Sequence, residues 1–246
     1  MGELLRAIGR IGMFLLRILG AVRLERTQWA DTARQLHAIG SRSVPIVAVG
    51  GAFVGLVLSL QGFRTLQNFG ASNALGTLLG LTLYRELGPV LTAILFAGRA
   101  GSAMAAELGL MRATDQIDAL SMMAIDPVGK VVVPRFLAGV LSVPLLTAVF
   151  CAFAILGGYF QAVWVLGIDP GHFWAALQGS VELGNDLGQA LLKACVFGFA
   201  CTLLATHVGY HAEPTIEGTS VATTQSVVHG SLMVLFLDFL ISATLF

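Results

Sequence analysis

Apolar residues run through this chain in long blocks, and most polar positions fall between the blocks. A helix that crosses a bilayer needs about 20 mainly apolar residues. Val44 to Leu60 meets that requirement without a charge. A second block, from about Leu75 to Ala106, is interrupted by Arg85, Glu86 and Arg99. The third, Phe136 to about Ile168, carries no charge and is longer than one span needs. Its far end either breaks at Gly157-Gly158 or continues past the bilayer surface. The fourth, about Leu187 to Val208, contains Lys193, and the fifth, about Val227 to Phe246, contains Asp238. The pattern predicts an all-α integral membrane protein with five transmembrane helices and termini on opposite sides.

Residues before the first block repeat at a helical period. Glu3, Arg6, Arg10 and Arg17 fall within about 60° of one another on a helical wheel. Leu4, Ile8, Ile11, Phe14, Leu15, Ile18 and Leu19 occupy a broad arc away from them. This is an amphipathic helix suited to lie in the membrane interface. A signal peptide would not hold Arg17 in its apolar core, and no small-residue cleavage site follows.

Composition agrees with the pattern. Hydrophobic residues make up 56% of the 246 and charged ones 11%, with mean hydropathy +0.83. A soluble domain carries about a quarter charged residues, so the surplus apolar surface must face lipid. The formal net charge is +0, which gives no reason to expect a nucleic-acid partner. Arginines before the first block, and Arg112 and Lys130 between the second and third, place the N-terminus in the cytoplasm. The connection between the third and fourth carries only acids. The C-terminus then lies on the far side.

Charges inside spans cost several kcal/mol each and ordinarily face protein or a wet cavity. Arg85 and Glu86 are adjacent, so they point about 100° apart and need other partners. Pro89 would kink the helix that follows. Lys193 and Asp238 are opposite in sign. These four either pair among themselves to fix the bundle or line a polar patch in a substrate cavity. Arg99, near a helix end, suits a structural role. Gly51 and Gly55, Gly76 and Gly80, and Ser102 and Ala106 have the spacing of close helix contacts. Between the first two blocks, Phe63, Leu66 and Phe69 recur at helical spacing, as interfacial anchors or as an apolar lip for an acyl chain. Composition alone favours the anchors.

The segment Glu107 to Asp126 mixes charge with an apolar face of Ile117, Leu120, Met123 and Ala124. Its acids, Asp115 and Asp118, disfavour an anionic lipid surface. A short helix there would present its apolar face to a cytoplasmic protein. Asp126-Pro127 and Asp169-Pro170 read as helix starts, with Asp as the cap and Pro at the first helical position. The second would open a short helix, His172 to Gln178, on the far side. No phosphate-binding GxxxxGK[ST], HExxH or GxSxG pattern occurs. The histidines, His37, His172, His207, His211 and His229, are scattered without ligand spacing. Cys151, Cys195 and Cys201 fall in apolar stretches and read as packing residues.

The stretch Arg85 to Pro134, which opens RELGPVLTAILFAGRAGSAMAAELG, resembles the signature of the MlaE permease family. So do GAFVGLVLSLQGF in the first block, GIDPGHFW on the far side and VVHGSLMVLFLDF near the end, so the resemblance spans essentially the whole chain. It implies a single permease domain, 1–246, with 1–42 interfacial and 43–246 a transmembrane bundle. It implies a permease of an ABC-type system that moves glycerophospholipid and maintains outer-membrane lipid asymmetry in Gram-negative bacteria. The location would be the inner membrane. The expected partners are a second copy, two cytoplasmic ATPase subunits, a STAS-domain subunit and a hexameric periplasmic ring of MCE domains. The chain itself would need no cofactor, since ATP and Mg belong to the ATPases. The resemblance implies a polar patch at Arg85, Glu86, Lys193 and Asp238, and a lipid-contacting lip at Leu58, Leu66 and Phe69. Thr65 departs from an aliphatic residue found in some relatives. Coupling to the ATPases would fall on Glu107, Arg112, Asp115, Ile117, Asp118 and Leu120. An ion-coupled secondary transporter is the competing reading. An intramembrane enzyme would need a catalytic constellation that the histidines do not supply.

Overall fold

The computed structural model describes residues 2–22, 26–182 and 184–245. The side chains of Glu3, Leu4 and Ile8, and the position of Arg23, lie outside the described residues. Among the described residues all regular structure is helical. In chain order the helices are α1 (Gly2–Ala21), α2 (Arg26–Leu36), α3 (Arg42–Asn68), α4 (Leu75–Thr82), α5 (Gly88–Phe96) and α6 (Ser102–Ala113). Then come α7 (Gln116–Met122), α8 (Val133–Phe160), α9 (Pro170–Ser180), α10 (Asn185–Tyr210) and α11 (Ile216–Leu245). Wide π-helical turns join several of them, at His37–Ser41, Leu83–Leu87, Ala97–Gly101 and Val128–Val132.

Five helical stretches among the described residues are long and apolar enough to cross a membrane. They are Gln28–Asn68, Ser72–Ala113, Val128–Val165, Asp186–Tyr210 and Ile216–Thr244. Each takes in most of a block expected from the sequence and begins before it. The first does not start at Val44: helix runs from Arg26 through the His37–Ser41 turn to Asn68. The third does not break at Gly157-Gly158. Both glycines lie in continuous α8, where the missing side chains admit the Ala52 backbone and Leu79.

The chain forms two compact units. The first comprises residues 1–42, 93–142 and 197–246. Phe14 and Ile18 of α1 are buried there with Leu108, Val131, Val132, Val133 and Phe136. Met13, Leu16 and Leu19 of the same helix stay exposed. The amphipathic arc is therefore divided between the chain's own core and the outside. Close packing of these two side chains seats α1 on the unit's core. Gln28 Nε2 donates to the carbonyls of Ala21 (3.2 Å) and Gly129 (3.4 Å). Lys130 Nζ meets Asp31 Oδ2 at 2.7 Å. Both contacts tie α2 to the start of the third span. Asp126 accepts from the backbone N–H groups of Val128 and Gly129, each at 3.1 Å, as a cap should.

The second unit comprises residues 43–92 and 143–196. A side chain at Gly51 would stand 2.6 Å from the Phe150 carbonyl, and one at Gly55 would overlap the Ala154 backbone. The first GxxxG pair thus brings α3 and α8 into backbone contact. Gly76 does the same for α4 against α9, at the Phe173 carbonyl, while Gly80 admits the side chains of Leu177 and Val181; Thr77 Oγ1 also donates to the Ala176 carbonyl at 3.1 Å. Asp169 caps α9, its carboxylate accepting from the His172 N–H at 2.9 Å with Pro170 at the first position. Gly70, at φ +67°, turns the chain after α3.

Candidate functional site

The polar cluster of the second unit starts from a defect in the helix. Pro89 has no N–H, so the carbonyl four residues earlier, that of Arg85, loses its ordinary helical donor. The turn Leu83–Leu87 is π-helical, which widens the backbone at the same place. Lys193 of α10 reaches this place: its Nζ donates to the Arg85 carbonyl at 2.9 Å. Lys193 is 2% exposed, so an ammonium in an apolar span is held by a backbone carbonyl.

The Arg85 side chain turns to α10 as well. Its Nε donates to Asp186 Oδ1 at 2.8 Å, with the Asp186 side chain 2% exposed. The other oxygen of Asp186 accepts from the Glu182 N–H at 2.9 Å. Arg85, Asp186 and Lys193 therefore form one connected network. Glu86 is exposed, as expected for the neighbour of an inward-facing Arg85. Asp238 belongs to the first unit and is half-buried on α11. Leu58 and Leu66 of α3 are half-buried, and Phe69 is 80% exposed. The Ser59 and Thr92 hydroxyls are enclosed without a hydrogen-bond partner among the described residues.

In the first unit, the residues expected to meet a cytoplasmic partner divide. Glu107 pairs with Arg135 at 3.3 Å, and Arg112 with Asp118 at 3.3 Å. Asp115 takes a left-handed conformation, φ 56°, and turns the chain into α7. Ile117 does not face outward. It is 1% exposed, and Leu120 packs against the unit's own core. The apolar periodicity of α7 serves to seat it. Its outward surface carries Met122 and Met123 together with Asp115 and Asp118. Arg99 has a structural contact: Nη1 donates to the Ile39 carbonyl, in a π-helical turn, at 3.2 Å.

Two features escape a reading by residue type. Asp186 reads as a loop acid but is the buried partner of Arg85. The histidines are not all scattered. His207 and His211, one helical turn apart, have ring centroids 4.5 Å apart, and Phe14 stacks edge-on against both at 5.2 Å. Their four-residue spacing was the available signal. No cluster of three metal-ligating side chains occurs among the described residues.

Five long apolar helical stretches, with charges held inside one of the units, define a polytopic membrane protein. The MlaE permease model matches residues 32–244. The chain is 46% identical to the intermembrane phospholipid transport system permease protein MlaE of Haemophilus influenzae, over 99% of this chain and 94% of that one. It is 36% identical to a probable ABC transporter permease protein of Rickettsia typhi, over 87% of this chain and 82% of that one. It is 30% identical to the chloroplastic protein trigalactosyldiacylglycerol 1 of Arabidopsis thaliana, over 96% of this chain and 66% of that one. The chain belongs to the MlaE permease family.

Proposed function

We propose that this chain is the permease subunit of an ABC-type system that moves glycerophospholipid between the inner membrane and a periplasmic MCE-domain ring. The observation that carries the reading is whole-length similarity to a phospholipid permease. A second copy, two cytoplasmic ATPase subunits and a STAS-domain subunit complete the assembly. ATP and Mg are bound by the ATPases. The N-terminus is cytoplasmic and the C-terminus periplasmic. α1 lies in the cytoplasmic interface, a placement favoured by its exposed Met13, Leu16 and Leu19 beside Arg6, Arg10 and Arg17. α9, with Trp174 exposed, lies on the periplasmic side.

Lipid chains occupy an apolar cavity between protomers, with Leu58, Leu66 and Phe69 at its lip. Arg85, Glu86, Lys193 and Asp238 supply polar groups near the headgroup. Nucleotide-driven closure of the ATPases pushes on α7. The firm seating of Ile117 and Leu120 supports a lever, because a rigid segment transmits displacement where a loose one absorbs it.

The test is lipid transfer by the reconstituted complex. Lys193→Ala and Asp238→Ala should each reduce transfer at least tenfold while partners still co-purify. Unchanged transfer in both would remove the polar-patch role. Transfer that continued without ATP would favour the ion-coupled transporter.

A further inference from the structure

The first unit contains a groove that the transport reading leaves unused. It encloses about 830 Å³ between α1, the end of α10 and the first two-thirds of α11. Ligand pockets ordinarily measure about 300–1,000 Å³. One end is polar and charged in both senses. Arg10 and His211 line it, and so do Glu213 and Glu217. The other end is apolar, with Leu232, Met233 and Phe236. From Glu217 to Phe236, α11 rises about 28 Å, the reach of a headgroup and the greater part of an acyl chain. The polar end adjoins the 211–215 turn. Counted along the spans, that turn lies on the same membrane side as the N-terminus. The Nδ1 of His207, which also lines the groove, is enclosed and has no hydrogen-bond partner among the described residues.

We propose that this groove binds one zwitterionic, amine-bearing phospholipid drawn from the leaflet on the N-terminal side. Arg10 and the imidazole of His211 receive the phosphate. Glu213 and Glu217 receive the ammonium group. The acyl chains follow α11 toward Phe236. A purely anionic headgroup meets the same arginine but also faces both carboxylates, which disfavours it. The site shares no residue with the Arg85–Asp186–Lys193 network. It rests on the membrane reading of the chain and not on transport.

The full chain, with its co-purifying subunits, is placed in phosphatidylglycerol nanodiscs without ATP. A phosphatidylethanolamine carrying a photoreactive acyl chain is added, or in parallel a phosphatidylglycerol carrying the same chain. Adducts are then mapped by mass. The ethanolamine probe should label residues 225–236 in clear excess over the glycerol probe. Arg10→Gln should lower that labelling roughly tenfold, the effect of losing one charge-assisted contact, and Arg10→Lys should retain most of it. Glu213→Gln with Glu217→Gln should abolish the preference between the probes. That pair also decides the matter if Arg10→Gln does not fold. Equal labelling by both probes, unaffected by the charge variants, would mean ordinary boundary lipid and overturn the site. So would the absence of adducts from either probe at residues 225–236. Neither result touches the ATP-driven transfer measurement.

Discussion

Pro89 removes a hydrogen bond from its own helix, and a lysine more than a hundred residues later replaces it. The Arg85 carbonyl is acceptable in an apolar span because Lys193 reaches it, and Lys193 is acceptable there because of that carbonyl. Lys193→Met keeps the volume but removes the ammonium's hydrogen bond to that carbonyl. It should destabilise the purified protein by about 1–3 kcal/mol, read from denaturation in detergent. Pro89→Ala in the Lys193→Met background restores a backbone donor and should recover part of the loss. A double-mutant cycle with no coupling between the two positions would disprove the account. Arg99 likewise donates to a backbone carbonyl, that of Ile39 in a π-helical turn. Basic side chains here serve backbone carbonyls at irregular turns, a role residue type alone does not reveal.

Among the elements, α7 and α9 show how short helices are held in place by one or two residues. α7 is seated by Ile117. Ile117→Asp buries an unpaired charge and should cost about 3 kcal/mol or more, collapsing expression. Met122→Asp with Met123→Asp changes only an exposed surface, so folding should survive. If α7 contacts the ATPases, ATPase stimulation in the reconstituted complex should fall severalfold; full stimulation would move the contact elsewhere. α9 depends on the Asp169 cap. The His172 N–H holds the Asp169 carboxyl below the ordinary carboxylate range, with His172 itself a smaller influence. The capping contribution is therefore complete above the ordinary carboxylate pKa and is lost as pH falls through the lowered one. Hydrogen exchange at the first amides of α9, corrected for intrinsic rates, should lose protection over that acidic interval. Asp169→Ala should lack protection at every pH.

For the molecule as a whole, α11 is the least covered of the five long stretches. Its most apolar window is 11% buried, against 61% for the stretch that contains α10. Val228, Leu235 and Phe239 form an exposed stripe along it. In the proposed homodimer this stripe faces its counterpart. Leu235→Cys and Phe239→Cys, separately, should yield a disulfide-linked dimer in membranes. A monomer under oxidation at both positions would place the interface elsewhere.

The class of the molecule was open to reading because it depends on a simple rule. A backbone in lipid must satisfy its own hydrogen bonds, so long apolar blocks become helices whatever surrounds them. The five stretches, the Asp126 and Asp169 caps and the glycine-faced contacts follow from local pattern. The bounds did not, because α2 is set by Gln28 and Asp31 reaching residues about a hundred positions away. Arg85 could be read as inward-facing and short of a partner, but Asp186 could not be named as that partner. Nor did the apolar period of Ile117 and Leu120 say which body it would meet. A period shows that one face is buried and leaves open what buries it. By itself, the sequence determined where helices form, which of them suit a membrane and which charges need partners. Only the tertiary structure decided which groups meet, because every such meeting joins residues on different helices whose packing no local pattern encodes.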